Sequence, residues 1–268
     1  MSTIEKKPKP NVKSVNSWRI IVNLSSRPLY FRSEIQRYVL FLIGRVGSTY
    51  LMELMNSHPN IKALGEELHD LHAKHSDVQL AWMRKYFTPP LVGRYKVVGF
   101  NAKLEQILEP DEFAKLMREF NCSVINLQRR NRIKGTVSYF VGRKLSESTG
   151  MWGLFKDENR PSAVFIDLAE FDEHLQTREQ LQQELDKYID ELGLPTLFLS
   201  YEDLLVKRED VLQQIFTFLN VKPLPATANT LKITNDDLRK AILNFDELKA
   251  KYIGTKYEKM FDEILVSN

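Results

Sequence analysis

The sequence Gly-Arg-Val-Gly-Ser-Thr at residues 44–49 follows an apolar run at residues 38–43 and precedes a segment with helical apolar spacing at residues 50–56. A strand that turns into a helix leaves backbone N–H groups unpaired, and the helix dipole adds partial positive charge there. Such a turn suits a phosphate or another anion, which glycines allow the backbone to approach closely. Arg45 adds a cation with a planar set of donors, and Ser48 adds a hydroxyl group.

The spacing of this segment differs from that of ATP- and GTP-binding loops. Those loops place four residues between the two glycines and a lysine directly before the hydroxyl residue. Here only Arg45 and Val46 separate Gly44 from Gly47, and no lysine precedes Ser48. From spacing alone, the segment is either an anion-binding loop of another kind or a tight turn with a serine helix cap.

The surrounding sequence resembles sulfotransferases that use 3′-phosphoadenosine 5′-phosphosulfate (PAPS). Residues 41–51 are similar to the 5′-phosphosulfate loop of that family. Residues 54–66, with His-Pro and then Gly-Glu, resemble its carbohydrate and bacterial branch, which includes trehalose sulfotransferases. Residues 125–138 are similar to its 3′-phosphate motif, and residues 196–204 resemble its Tyr-Glu-Asp-Leu segment.

The resemblance implies transfer of a sulfuryl group from PAPS to a hydroxyl group of a carbohydrate or small metabolite, with PAP as the product and no metal required. It implies that the 3′-phosphate is held by an arginine at a strand end and a serine eight positions later, which are Arg130 and Ser138. The phosphosulfate would be held by five loop residues. These are Arg45, Val46, Gly47, Ser48 and Thr49.

Three residues are candidates for catalysis: Arg45, Lys103 and Glu66. Lys103 sits where related enzymes often show a Gly-x-Lys-type element and could donate to the bridging oxygen, or it is a solvated lysine at a strand end. Glu66 follows the glycine after which the carbohydrate branch often places a glutamate, and a base must reach the acceptor hydroxyl. Its neighbour Glu67 stays open as an alternative base, and a surface acid at a helix start is the simpler interpretation.

Two features of the family are missing or replaced. The C-terminal Arg-Lys-Gly loop of the cytosolic branch has no match, since residues 252–258 are only loosely similar to it. The histidine base that this branch has near the second strand is also missing, because no histidine lies between His75 and His174. His69 and His72 share a helical face, but His75 falls off it and no cysteine or carboxylate pattern completes a metal site. A metal is therefore not predicted.

The alternation of short apolar runs with longer amphipathic segments predicts an α/β fold, with a P-loop-like central parallel sheet flanked by helices and a helical accessory region. Residues 167–192 are predicted to form a long helix, and residues 236–265 further helices broken at Gly254. We expect a flexible arm at residues 1–17, one domain at residues 18–268, and acceptor-side loops at residues 67–90 and 142–160. Strands are predicted at residues 38–43, 95–100, 123–127 and 196–200.

Composition narrows the possible partners and compartment. The formal charge of +3 is too small for a dedicated nucleic-acid binder. The longest strongly apolar run, residues 39–43, is far shorter than the ~20 residues of a membrane-spanning helix, and the lysine-rich start does not resemble a secretory signal. Because Cys122 is the single cysteine, no internal disulfide can form and a cytoplasmic location is expected.

Two other functions remain open from the sequence. A kinase on a similar scaffold would bind ATP with Mg²⁺, although the lysine of its phosphate loop is missing. A protein that binds the nucleotide without catalysis would show no turnover. The sequence does not indicate the acceptor or the oligomeric state.

Overall fold

The computed structural model describes residues 29–72, 74–88, 90 and 92–265, so the arm predicted at residues 1–17 lies outside the described residues. The strands are β1 (Tyr30–Phe31), β2 (Gln36–Leu42), β3 (Ile61–Leu64), β4 (Val92–Gly93), β5 (Val97–Ala102), β6 (Ser123–Gln128) and β7 (Thr196–Ser200). Five of them form a parallel sheet in the order β3-β5-β2-β6-β7, and β1 pairs with β4 in a separate antiparallel ribbon.

Helices connect and cover the parallel strands. They are α1 (Ser48–Asn56), α2 (Glu67–Leu71), α3 (Ser76–Phe87), α4 (Pro110–Glu119), α5 (Arg132–Thr149), α6 (Leu168–Leu192), α7 (Tyr201–Val206), α8 (Arg208–Phe218) and α9 (Phe245–Ala250). The α/β class with a central parallel sheet is confirmed. No helix in the described part of the chain is long and apolar enough to cross a bilayer.

The central strand β2 is buried on both faces, as its continuous apolar sequence requires in a covered parallel sheet. It pairs with β5 on one side and β6 on the other. Tyr38 fits into this sheet because its neighbour Gly99 has no side chain. A Cβ at Gly99 would lie 2.2 Å from the Tyr38 ring. The loops after β2, β5 and β6 consequently emerge side by side at the carboxyl edge, the usual ligand edge of such sheets.

The predicted elements agree with the structure where local signals were strong. β7 has the predicted bounds, and α6 begins one residue after Asp167, whose carboxylate caps it by accepting from the N–H groups of Ala169 and Glu170. The edge strand β3 was not predicted, because it has only four residues and its Lys62 is exposed. Residues 67–90, predicted as an acceptor-side loop, contain α2 and α3.

The C-terminal region differs most from the prediction. Within residues 236–265 only α9 is an α-helix, together with 3₁₀ turns at Leu238–Lys240 and Glu258–Phe261. The predicted helix break at Gly254 is not where a helix ends, because α9 already stops at Ala250 and Gly254, with φ 75°, lies in the turns that follow. The apolar residues of this region pack with α5 and α6 in a second buried cluster. They are therefore buried by these contacts and not by forming long helices.

Candidate active site

A cavity of about 770 Å³ opens at the carboxyl edge of the sheet. Its walls come from the loop after β2, the residues that follow β3, β5 and β6, one face each of α5 and α6, and residues 230–233. Elements that are distant in sequence therefore meet around one space. The predicted residues that line it are Arg45, Gly47, Ser48, Thr49, Glu66, Lys103 and Ser138.

The loop after β2 takes a conformation that depends on Gly47. Arg45 and Gly47 both lie in the left-handed region, with φ 67° and 84°, which costs about 1 kcal/mol or more for the arginine. A Cβ on Gly47 would lie 2.4 Å from the Tyr201 ring. Gly47 is itself the N-cap of α1, and Ser48 is the first helical residue. The alternative of a serine cap is therefore wrong. No side chain caps the N–H groups at the start of α1.

Arg45 and Ser138 are brought together as partners. Arg45 Nε donates to the carbonyl of Ser138 at 3.1 Å and lies 3.4 Å from its hydroxyl, while Nη1 donates to the carbonyl of Trp152 at 3.0 Å. Burial, followed by the neighbouring Arg129, lowers the pKa of Arg45 to about 10. The guanidinium is still charged at neutral pH. Val46 differs from the other loop residues because its side chain is fully buried in the core.

The two adjacent arginines after β6 point in different directions. Arg129 is 5% exposed and lines the cavity, where Nη1 donates to the Arg45 carbonyl at 3.2 Å and the guanidinium lies over the Tyr201 ring. The Arg130 side chain is 59% exposed and donates twice to Asp203, at 2.6 and 3.1 Å. This ion pair raises the pKa of Arg130. The structure thus does not bring Arg130 into the cavity beside Ser138, and its role remains a prediction.

Glu202 fixes the turn that separates these arginines. Its buried carboxylate accepts from the backbone N–H groups of Arg130 and Asn131, each at 3.0 Å. The backbone is held so that consecutive side chains leave on opposite sides, as they do along a strand. The sequence motif identified the correct turn, but the direction of the backbone in that turn determines which of the two arginines lines the cavity.

Arg178 of α6 is a cavity residue that sequence reasoning missed. It is 4% exposed, and Nη1 donates to the Gly44 carbonyl at 2.6 Å, so it supports the loop after β2. Its Nε and Nη2 are buried and have no hydrogen-bond partners within the described part of the chain. Burial, with Arg129, Arg132 and Arg45 nearby, lowers its pKa to about 9. The buried positions of α6 are spaced three or four residues apart, and Arg178 occupies one of them. An arginine at a position where the pattern calls for an apolar residue was the signal that could have identified it. The positions are Phe171, Leu175, Arg178, Gln182, Leu185, Ile189 and Leu192.

Glu66 and Lys103 form an ion pair on the cavity wall. Lys103 Nζ lies 2.6 Å from Glu66 Oε2, and their side chains are 20% and 31% exposed. Lys103 follows β5 directly and Glu66 follows β3 by two residues, so adjacent strand ends position them. Glu67 begins α2 and does not line the cavity. Glu105 also lines it, and burial raises the pKa of that carboxyl group.

The three histidines considered for a metal do not form such a site. His69 Nδ1 lies 3.3 Å from Gln106 Nε2, and His72 Nδ1 lies 3.3 Å from the Gln106 carbonyl. No group of three or more potential metal ligands occurs among the described residues. Only His69 of the three contributes to the cavity wall.

An aromatic wall stands on the side of α5 and α6. The His174 imidazole stacks on the Tyr139 ring with centroids 3.8 Å apart, and the centroids of the Tyr139 and Trp152 rings are 5.7 Å apart. Burial, and then the charge of Arg178, lowers the pKa of His174 to about 4, so the ring is neutral. The segment predicted as an acceptor-side loop at residues 142–160 is helical up to Thr149, where α5 ends, and only the part after α5 is a loop. Trp152 of that part lines the cavity, and its contact with an acceptor stays a prediction.

No family model matches the chain. The chain is similar to Nodulation protein H. It is 29% identical to Nodulation protein H of Rhizobium tropici over 241 residues, which cover 84% of this chain and 92% of that protein. Nodulation protein H of Rhizobium meliloti strain 1021 is 23% identical over 241 residues, with coverage of 85% and 95%.

Three solved structures share part of the chain path at 14% identity. A sulfotransferase from Alicyclobacillus acidocaldarius has a TM-score of 0.48 and covers 85% of this chain and 96% of its own. The sulfotransferase domain from the curacin biosynthetic pathway has a TM-score of 0.44, with coverage of 83% and 92%. Mouse sulfotransferase SULT7A1 complexed with PAP has a TM-score of 0.41, with coverage of 91% and 76%. At these TM-scores the likeness does not bear on activity.

Proposed function

We propose that the protein is a sulfotransferase that uses PAPS and acts on a hydroxyl group of a carbohydrate or small metabolite. One observation carries this proposal. A single cavity joins the anion-binding loop at residues 44–49, the buried guanidinium groups of Arg129 and Arg178, and the Glu66–Lys103 pair. Transfer to a hydroxyl group needs these three things: a site for an anionic donor, stabilisation of developing charge, and a base.

The residues present fit a polyanionic donor. Burial lowers the pKa of Arg45 and of Arg178, Arg129 lowers both further, and Arg45 also lowers that of Arg178. Among the described residues, Arg129 Nε and both Nε and Nη2 of Arg178 have no hydrogen-bond partner. Uncompensated buried charge is costly in free energy, and an anion in the cavity would offset that cost. The N–H groups of residues 46–49 and Arg45 would hold the phosphosulfate, as the sequence resemblance implies.

The 3′-phosphate would lie at the Ser138 end of the cavity. The resemblance assigns it to Ser138 and Arg130, but Arg129 is the arginine on the cavity wall at that end. Lys232 also lines the cavity, and its Nζ pairs with Asp236 at 2.6 Å. We therefore propose that Arg129 contributes at least as much as Arg130 to this contact, and that Lys232 acts where the missing C-terminal loop would.

PAPS supplies an activated sulfuryl group, whose transfer leaves PAP. Glu66 would accept the proton of the acceptor hydroxyl group, because it reaches the cavity and a charged neighbour holds it in place. Lys103 would shift from Glu66 toward the developing negative charge of the leaving oxygen. Arg45 would exchange its contacts with the Ser138 and Trp152 carbonyls for the stronger contact with an anion.

The acceptor class is supported by the aromatic wall of the cavity. Rigid aromatic rings next to polar side chains suit a sugar, which has apolar C–H faces and a rim of hydroxyl groups. Tyr139, His174 and Trp152 provide the rings, and Thr177 and His69 provide polar groups. The carbohydrate branch indicated by residues 54–66 agrees with this arrangement. The expected cytoplasmic location stays a prediction.

Two measurements test the proposed function together. Millimolar PAP should raise the melting temperature of the protein, and radiolabelled PAPS should transfer its label to at least one member of a pool of sugars. ATP with Mg²⁺ in place of PAP serves as the control for a kinase. Stabilisation by ATP but not by PAP would contradict the proposal, and PAP binding without turnover on any acceptor would indicate a non-catalytic binding protein.

A further inference from the structure

A second cavity, of about 600 Å³, lies between α3, the amino-terminal parts of β3 and β5, and the β1–β4 ribbon. It shares no lining residue with the candidate active site. We call it the α3 groove and define it by six of its residues. These are Lys62, Trp82, Lys85, Tyr86, Arg94 and Tyr95.

The α3 groove carries positive charge that the described residues do not neutralise. No aspartate or glutamate lines it, and none of Lys62, Lys85 and Arg94 forms an ion pair within residues 29–72, 74–88, 90 and 92–265. Arg94 Nη1 is buried and has no hydrogen-bond partner among the residues that the structure describes. A buried N–H group on a cation normally donates a hydrogen bond, so the unpaired Nη1 of Arg94 points to an oxyanion as ligand.

The groove also contains flat rings in fixed positions. Trp82 and Tyr86 stack with centroids 5.4 Å apart and an interplanar angle of 7°. The Tyr86 hydroxyl is placed to donate to the carbonyls of Gly99 at 3.1 Å and Lys62 at 3.3 Å, which holds the ring in place. Lys62 Nζ lies 5.7 Å from the centroid of that ring. An aromatic surface bordered by cations matches a ligand with an apolar face and an anionic substituent.

We propose that the α3 groove binds a saccharide ring that carries an oxyanion, either a sulfate ester or a carboxylate. The C–H face of the ring would lie against the Trp82–Tyr86 pair, and the oxyanion would accept hydrogen bonds from Arg94 with Lys62 and Lys85 nearby. This binding site does not depend on the proposed function, because it shares no residue with the other cavity. A free nucleotide would need an additional site for its base and is the competing ligand.

Isothermal titration calorimetry with five probes tests this inference. Glucose 6-sulfate and glucuronate supply the two kinds of oxyanion, glucose lacks one, and sodium sulfate lacks the ring; adenosine 5′-phosphate represents the nucleotide. The full-length protein and its Arg45→Gln variant are both titrated. Because Arg45 belongs to the other cavity, equal binding by these two proteins assigns the heat to a separate site.

We expect at least one anionic sugar to bind about tenfold more tightly than glucose and sodium sulfate. Arg94→Gln should weaken that binding about tenfold, and Lys62→Gln combined with Lys85→Gln should do the same. Lys96→Gln is the matched control, because Lys96 is a neighbouring cation that does not line the groove. Unchanged melting temperatures of the variants would show that they are folded.

Four results would overturn the inference. They are no detectable heat with either sugar at about 10 mM, equal binding of sodium sulfate and the sugars, tighter binding of the nucleotide, and unaltered binding by Arg94→Gln. Loss of binding in Arg45→Gln would also overturn it, since the ligand would then occupy the other cavity. None of these results bears on sulfuryl transfer, which is measured separately.

Discussion

The turns after β2 and β6 lie side by side at the carboxyl edge, yet they deliver their arginines in different ways. After β2, a left-handed backbone at Arg45 turns a single guanidinium into the cavity. After β6, two arginines follow one another, and the strand register places Arg129 inside while Arg130 pairs with Asp203 outside. A cation in the correct turn is therefore not sufficient, because backbone direction decides whether it can contact a ligand.

The same contrast recurs after β3, where two glutamates follow one another. Glu66 lines the cavity beside Lys103, and Glu67 starts α2 away from it. Paired residues of one type, with one inside and one outside, offer matched variants. Each pair tests whether the geometry of the strand ends determines function.

The largest effect is expected for the two glutamates. Glu66→Gln should lower kcat about 10²- to 10⁴-fold, because the amide cannot accept the proton of the acceptor hydroxyl group. Glu67→Gln should stay within about threefold of the wild type. Steady-state turnover of PAPS with a labelled sugar acceptor gives both values, with PAP affinity measured alongside. A collapse of turnover in Glu67→Gln instead would move the base to that residue.

Arg45→Gln should lower kcat about 10²- to 10³-fold, because the loop after β2 loses its charged donor to the reacting group. Arg143→Gln is the control, since Arg143 pairs with Glu170 outside the cavity. The same turnover measurement applies. If Arg45→Gln retains most of the activity, the left-handed conformation at that position has no catalytic purpose and the contrast with the β6 turn loses its meaning.

The two arginines after β6 should differ in nucleotide binding. Arg129→Gln should weaken binding of PAP about tenfold or more while changing binding of adenosine 5′-phosphate much less, because only PAP has the 3′-phosphate. Arg130→Gln should weaken PAP binding less than threefold, since Asp203 already holds that side chain. Calorimetric titration with both nucleotides measures the difference. The opposite order would restore Arg130 as the 3′-phosphate contact.

The smallest effect concerns the charge around the cavity. Because the folded pKa of His174, about 4, lies below the ordinary value of 6.5, the unfolded chain binds more protons between those two values. The free energy of unfolding should therefore fall as pH drops from about 6.5 to 4, by about 1 to 2 kcal/mol for this partly exposed ring. Denaturant titrations at pH 7 and 4.5 measure the difference.

His174→Phe keeps a ring against Tyr139 and should remove this part of the pH dependence. His75→Gln is the control, because His75 is exposed. Equal pH dependence of the wild type and His174→Phe would mean that burial and the charge of Arg178 do not keep His174 neutral.

Much of the architecture was predictable because its signals are local. The strand at residues 196–200 was predicted with its observed bounds, and Asp167 before a regular apolar pattern marked the start of α6. The edge strand β3 and the irregular C-terminal region were not, because short elements depend on their neighbours more than on their own residues. Packing of residues 238–261 against α5 and α6 replaced the helices that their periodicity predicted.

The candidate site was predictable as a set of residue types at strand ends, since the motif around residues 44–49 and the glutamate and lysine near β3 and β5 all reach one cavity. Their pairing was not. Arg178 lies more than 130 positions from Gly44 in the chain, and only the position of α6 against the sheet brings the two within a hydrogen bond of 2.6 Å.

The sequence by itself determined that strand, glycine turn and helix follow one another at residues 38–56, because backbone freedom and apolar spacing are properties of neighbouring residues. Only the tertiary structure decided that Arg129 rather than Arg130 faces the cavity, and that Arg178 supports the loop. The direction of a side chain at a strand end follows from the register and contacts of the backbone. Here the Glu202 carboxylate accepts hydrogen bonds from two backbone N–H groups after β6, and those contacts join residues about 70 positions apart.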